Sequence, residues 1–295
     1  MSFEVITALI TPFFKSGKVN YKGLCSLIDY QLKNGIDTFV IFGTTGEGAT
    51  ISNKEKYHII KKLNNDYGLL INLIVGVSQI DTLLAIEEVK YLSKLKIQGF
   101  LVLSPTYLKT NEQGVINHFL KIAESTSFLV YLYYIPKRTG QSFSPEILKI
   151  LKQQKNIRGI KDASNSKKYF EHLLTFQDLN FQIYSGEDAS LMEIIKNADG
   201  LVSVISNAYP KTIKDIVRLY ESNYLDEAKC LFDKISKMIE LLFLEPNPIP
   251  IKYLMSRILF LTNNYHLPLY YPSDELKQMI DEEMRRLNNE DFIDR

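Results

Sequence analysis

At 295 residues, with 35 Lys and Arg against 34 Asp and Glu, the chain is long enough for one large α/β barrel or for two smaller domains. Its net charge of +1, with no basic face and no acidic tail, argues against nucleic acid or another polyanionic partner. Cys25 and Cys230 stand outside any CxxC spacing, which argues against disulfides and structural zinc and suggests two small buried hydrophobes in a reduced compartment.

The first apolar stretch, Val5 to Leu9, has no basic segment before it, so it reads as a strand rather than a secretory leader. The longest uncharged run, Tyr67 to Ile80, is 14 residues, short of the roughly 20 that span a bilayer. We therefore expect a cytoplasmic protein with no membrane association. Leu24, Leu27, Ile28 and Leu32 fall at helical spacing before Gly35. Thr38 to Phe42 makes a second buried strand, followed by Gly43-Thr-Thr-Gly-Glu47 and by Ser52-Asn-Lys-Glu55, which has the spacing of a capping box. A third strand is expected over Leu69 to Val75 and a helix from Asp81-Thr82. A fourth strand, Phe100 to Leu103, runs into Pro105-Thr-Tyr107.

The alternation continues with a helix near 112–124, a strand at Phe128 to Tyr134 and a helix launched at Ser144-Pro145. Ile157 to Ile160 then form a strand that delivers Lys161 at its end. A helix near 166–176, a strand at Phe181 to Tyr184, a helix near 188–197 and a strand at Gly200 to Ile205 complete eight units. Near-continuous apolar strands are what parallel strands covered on both faces require. Eight evenly spaced units, with no GxGxxG after the first strand, favour a closed (β/α)8 barrel over a doubly wound sheet. We expect a catalytic barrel over residues 1–224 and a C-terminal helical region over 225–295, joined through Glu245-Pro-Asn-Pro-Ile-Pro250.

In such a barrel the residues after the strands share one face, which holds the active site. That face would gather Thr44 and Thr45, Tyr107, Tyr133, Arg138, Lys161, and Ser185-Gly186. A lysine at a strand end ordinarily reaches into solvent. Held over apolar neighbours it can instead lose its proton and attack a carbonyl to form a Schiff base. Arg138 could grip a carboxylate bidentately. Gly43-Thr-Thr-Gly-Glu47 could offer N–H groups and hydroxyls to a small anion, or could be a turn using glycine for positive φ with Glu47 at a helix N-terminus. Only one of Tyr133 and Tyr134 can face the barrel interior. His58, His118, His172 and His266 sit singly, without metal-ligand spacing, so no metal is expected.

These residues carry a resemblance. Leu9-Ile-Thr-Pro12, Gly43-Thr-Thr-Gly-Glu47, Pro105-Thr-Tyr107, Tyr133 through Pro136, Arg138-Thr-Gly140, Ile160-Lys161-Asp-Ala-Ser164, Ser185-Gly-Glu-Asp188 and Asn247-Pro-Ile-Pro250 are similar, in order and spacing, to the dihydrodipicolinate synthase family. The resemblance covers essentially the whole chain. It implies that Lys161 forms an imine with pyruvate, that Tyr133 moves protons, and that Thr44 links Tyr133 to Tyr107, which reaches into a neighbouring subunit's site. It further implies that Thr45 holds the pyruvate carboxylate, that Arg138 anchors aspartate semialdehyde, and that Gly186 and the Val202 carbonyl line the pocket. No cofactor is implied, and the expected assembly is a homotetramer built from tight dimers.

Arg138 separates this reading from the sister N-acetylneuraminate lyases, whose corresponding loop lacks the arginine. A pyruvate aldolase acting on a sugar acid and a catalytically dead binding protein are the alternatives weighed against it. Tyr134 stands where the family usually has asparagine, and Thr106 replaces an aromatic residue. Where feedback-inhibited members bind lysine, this chain has Asn53, Lys56, Ile80 and Leu84, and the expectation is insensitivity to lysine, with Lys56 repelling the ammonium.

Overall fold

The structure, a computed structural model, describes residues 2–289; Met1 and residues 290–295, the two ends of the expected barrel and helical regions, lie outside the described residues. Eight parallel strands close on themselves in chain order. They are β1 (Glu4–Ala8), β2 (Thr38–Ile41), β3 (Asn72–Val77), β4 (Gly99–Leu103), β5 (Leu129–Tyr134), β6 (Ile157–Asp162), β7 (Gln182–Ser185) and β8 (Gly200–Ser203). β1 pairs with both β2 and β8, which leaves no free edge in the sheet. The expected (β/α)8 barrel is the fold of the chain.

The surrounding helices are α1 (Tyr21–Lys33), α2 (Asn53–Tyr67), α3 (Thr82–Leu92), α4 (Glu112–Glu124), the one-turn α5 (Pro136–Thr139) and α6 (Leu148–Leu151), α7 (Lys167–Leu174), α8 (Leu191–Ile194) and α9 (Pro210–Glu221). Their starts are set by capping side chains: Asn20, Ser52, Asp81, Asn111 and Ser166 each accept a first-turn N–H. Three more helices follow, α10 (Leu225–Leu241), α11 (Ile249–Ile258) and α12 (Asp274–Asn289). Among the described residues no helix is long and apolar enough to cross a membrane.

Three expectations need correcting. The third strand begins at Asn72, because Gly68 at φ +58° ends α2 and the exposed Leu69 and Leu70 fall in a short 3-10 turn. The eighth ends at Ser203, where the Asp188 carboxylate accepts the N–H groups of Val204 (2.8 Å) and Ile205 (3.1 Å) and draws them out of the ladder. The cysteines are not core residues: Cys25 is partly exposed and Cys230 exposed, since each falls beside the apolar stripe of its helix rather than on it.

Glu47 precedes the 3-10 turn Gly48–Thr50, as one of the two readings of this stretch had it, but its side chain makes no cap hydrogen bond there. It is buried and forms an ion pair with Lys252 of α11, while its second oxygen accepts the His266 N–H at 2.9 Å. The Lys252 ammonium lies 4.3 Å from the Phe13 ring centroid, and His266 stacks on that same ring at 3.9 Å. A second buried ion pair joins Lys56 of α2 to Glu88 of α3 at 2.6 Å, with Gln79 donating to the other carboxylate oxygen. Lys56 is thus a neutralised core residue rather than a repelling surface charge.

Candidate active site

Lys161 is the fifth of the six residues of β6, one short of the strand end. Its register partners are Tyr133 on β5 and Tyr184 on β7. The side chain is buried, its Nζ lies 4.6 Å from the Tyr133 ring centroid, and it joins no ion pair among the described residues. Strand alternation sends the next residues the other way. Tyr134 stacks on Tyr169 at 4.4 Å and packs on Phe143 at 4.5 Å, outside the barrel, so an aromatic cluster absorbs it. Asp162 is buried on that side too, accepting from the Ser164 N–H and hydroxyl; burial, the dominant influence, holds its carboxyl up at about 7.

Lys161 opens into a cavity of about 900 Å³ at the C-terminal ends of the strands. Thr44, Thr45, Tyr133, Arg138 and Gly186 line it with Lys161, so six of the eight expected site residues share one space. Gly186 fits the lysine closely: a Cβ there would meet Lys161 Cε at 2.6 Å and the Ala163 Cβ at 3.1 Å. The glycines of the β2 turn serve close packing rather than positive φ. A Cβ on Gly46 would meet the Phe42 nitrogen at 2.8 Å, whereas the positive φ values belong to Phe42 and Glu47. The N–H groups of Thr44 and Thr45 have no protein acceptor among the described residues, and both residues line the cavity.

Arg138 sits on α5, a one-turn helix with proline at its start and Gly140 at φ +68° closing it, where a loop was expected. Its Nη2 donates to the main-chain carbonyl of Asn247 at 2.8 Å, and the side-chain Nδ2 of Asn247 donates to Thr45 Oγ1 at 2.9 Å. Ile239, Phe243 and Asn247 complete the cavity from the C-terminal segment. Glu187 lines the same wall, its carboxyl pushed up by burial and by Asp188, with Lys137 and Lys161 opposing. Asp188 is fully enclosed beneath it, and burial raises its carboxyl likewise.

Two expected site residues lie elsewhere in the chain. Tyr107 is 83% exposed, at φ +65°, with its N–H directed at the Thr139 carbonyl at 3.4 Å. Val202 is buried in β8 opposite Ile6, and Val204 lines the cavity from that strand's end. No hydrogen bond links Thr44 to Tyr133 or Tyr107 among the described residues. The histidines stand singly: His58 and His172 are exposed, and His118 is buried between the Thr82 hydroxyl and the Leu103 carbonyl. Among the described residues no group of three or more His, Cys, Asp and Glu is placed to hold a metal.

The model of the dihydrodipicolinate synthetase family matches residues 1–286. The chain belongs to that family. A 4-hydroxy-tetrahydrodipicolinate synthase of Chlorobium phaeobacteroides is 33% identical over 95% of each chain. Among solved structures, the 4-hydroxy-tetrahydrodipicolinate synthase of Methylacidiphilum fumariolicum SolV superposes with a TM-score of 0.92 at 30% identity, covering 98% of this chain and 97% of that one. The dihydrodipicolinate synthase of Thermotoga maritima gives 0.92 at 29% identity, covering 98% and 99%. In this member of the family, Asn247 and Glu187 are cavity residues that were not among the expected site residues. Each sits inside a quoted motif, but only the folded chain brings it to the lysine.

Proposed function

We propose that the enzyme condenses pyruvate with L-aspartate 4-semialdehyde to give 4-hydroxy-tetrahydrodipicolinate, a step towards diaminopimelate and lysine. The observation that carries this reading is a buried lysine in a cavity lined also by the Thr44–Thr45 turn and Arg138, two separate groups able to hold a carboxylate. Pyruvate and the semialdehyde bring one carboxylate each.

The Lys161 amine adds to the pyruvate ketone and water leaves, forming the imine. Loss of a methyl proton gives the enamine, and Tyr133, whose ring lies against the lysine, is the group placed to carry protons. The enamine carbon then attacks the aldehyde, whose oxygen becomes the product hydroxyl. The substrate amine attacks the imine carbon, closes the ring and returns Lys161 as a free amine. One water is released overall, and the lysine itself serves as electron sink. Gly186 and the Val202 carbonyl complete the pocket in this reading.

In this reading the catalytic barrel spans residues 1–224 and a helical region follows from residue 225, whose described part walls the cavity through Ile239, Phe243 and Asn247. Tyr107, exposed on the single chain, serves the site of a second subunit beside Thr44, in a cytoplasmic homotetramer of tight dimers. Borohydride reduction with pyruvate tests the chemistry: a pyruvate-derived mass on the Lys161 peptide is expected, and its absence overturns the reading. A coupled assay comparing aspartate semialdehyde with N-acetylmannosamine then fixes the acceptor, and turnover of the sugar alone would overturn the substrate assignment.

A further inference from the structure

Asn247 touches both carboxylate holders at once, although it lies 202 residues from Thr45 and 109 from Arg138 in sequence. A hydroxyl has one proton to donate and two lone pairs to accept with. At Thr45 the Asn247 amide fills a lone pair, and no protein acceptor among the described residues takes the hydroxyl proton. That hydroxyl is buried at the cavity wall, so its proton is left for whatever occupies the cavity. At Arg138 the main-chain carbonyl of Asn247, not its side chain, takes one Nη2 proton, leaving the other donors of the fork for a ligand.

We infer that the Asn247 side chain is a positioning residue for the keto acid: its amide turns the Thr45 hydroxyl proton towards the substrate carboxylate, while the main-chain carbonyl of the same residue holds the Arg138 fork whatever side chain stands there. The inference rests on the proposed condensation. It goes further by assigning a direction to the Thr45 hydrogen bond and a determinant to a segment outside the barrel. The required chemistry is a hydrogen-bond donor at position 247, not bulk.

Asparagine and aspartate have the same shape, but a carboxylate can only accept. In Asn247→Asp the Thr45 hydroxyl would donate to position 247 and present lone pairs to the substrate carboxylate. Asn247→Ala removes the donor without supplying a competing acceptor, so Thr45 can still donate into the cavity. A purely structural role predicts the opposite order, with alanine worse because it leaves a hole.

The test is steady-state kinetics with pyruvate and the semialdehyde varied separately, in the wild type, both Asn247 variants, Thr45→Val and the corresponding double variants. Asn247→Asp is expected to raise KM for pyruvate about tenfold or more, and Asn247→Ala about two- to threefold. Borohydride trapping of Lys161 at saturating pyruvate should persist in both. In the Thr45→Val background the effect of Asn247→Asp on pyruvate KM should largely vanish, since the two act as a unit. A pyruvate KM within twofold of wild type in Asn247→Asp, a larger effect in Asn247→Ala, or full additivity with Thr45→Val overturns the inference. If Asn247→Asp does not fold, the cycle of Asn247→Ala with Thr45→Val decides the matter, and additivity there is again fatal. Failure of wild-type protein to trap pyruvate would instead condemn the proposed condensation, so the two failures are distinguishable.

Discussion

Lys161 and Gly186 are in contact across β6 and the end of β7: the lysine Cε occupies the space in which a side chain at 186 would begin, 2.6 Å from an ideal Cβ. The glycine is a steric requirement of the nucleophile's position, since its backbone is not in the left-handed region. We expect Gly186→Ala to push the amine out of line and lower kcat about 10²-fold, the size of effect that a misplacement of about 1 Å produces. Pyruvate trapping by borohydride should slow in parallel, while far-UV circular dichroism stays that of the wild type. Wild-type trapping rates in the alanine variant would show that Lys161 is not held by this contact.

The Asp162 carboxyl, buried beside the aromatic cluster of Tyr134, titrates at about 7 in the folded chain against an ordinary value of 3.8. Between those values the native state holds a proton that the unfolded chain has released. Stability contributed by this group is therefore present at low pH and is lost as pH rises from about 4 to about 7, with a slope of at most ~1.4 kcal/mol per unit. Asp162→Asn should flatten that slope and be at least as stable as wild type at pH 8. Denaturant midpoints measured from pH 5 to 8 check it, and unchanged pH dependence in the variant would count against the raised value.

Removing one member of a buried ion pair strands the other. Lys252→Met leaves Glu47 enclosed without its cation, so a loss of about 3–5 kcal/mol is expected. The double variant Lys252→Met with Glu47→Gln should recover a substantial part of it. Urea unfolding of the three proteins gives the comparison. A single variant as stable as wild type would mean that water reaches the pair.

The positions compared with lysine-binding residues in feedback-inhibited relatives are apolar at Ile80 and Leu84, both exposed. Lys56 contributes nothing by repulsion, because Glu88 neutralises it inside the protein. The apolar pair alone offers no partner for an ammonium. Initial rates should stay within about twofold of the uninhibited value up to millimolar lysine, and strong inhibition there would refute this.

If Tyr107 serves a neighbour's cavity, two different defects can complement. Lys161→Ala and Tyr107→Phe proteins, each impaired alone, should regain activity when unfolded and refolded together, because a mixed dimer contains one site with both side chains intact. Sedimentation should show an assembly of at least two chains. No gain on mixing would place Tyr107 outside the reaction.

Most of the barrel was legible because a strand buried on both faces has to be apolar throughout, and such runs are visible without knowing their partners. Leu69 and Leu70 misled for that reason: they are apolar, but Gly68 had already turned the chain outward. The strand-end residues Thr44, Tyr133 and Lys161 were legible because barrel topology gathers them whatever the loops do. Asn247 and Lys252 were not, since their partners lie some two hundred positions away and nothing in local spacing encodes such a pairing. Lys56 could have been read better: with Ile59, Ile60 and Leu63 it falls on the buried stripe of α2, where a lysine needs a partner.

The Asn247 bridge also has a consequence in time. A ribosome releases the strand carrying Lys161 well before it releases the segment that ties Thr45 to Arg138. A nascent chain that has completed β8 lacks the Asn247 link between Thr45 and Arg138. Premature termination anywhere between β8 and α11 would also remove Lys252 and leave Glu47 without its cation, so the truncated chain loses the bridge and a buried ion pair together.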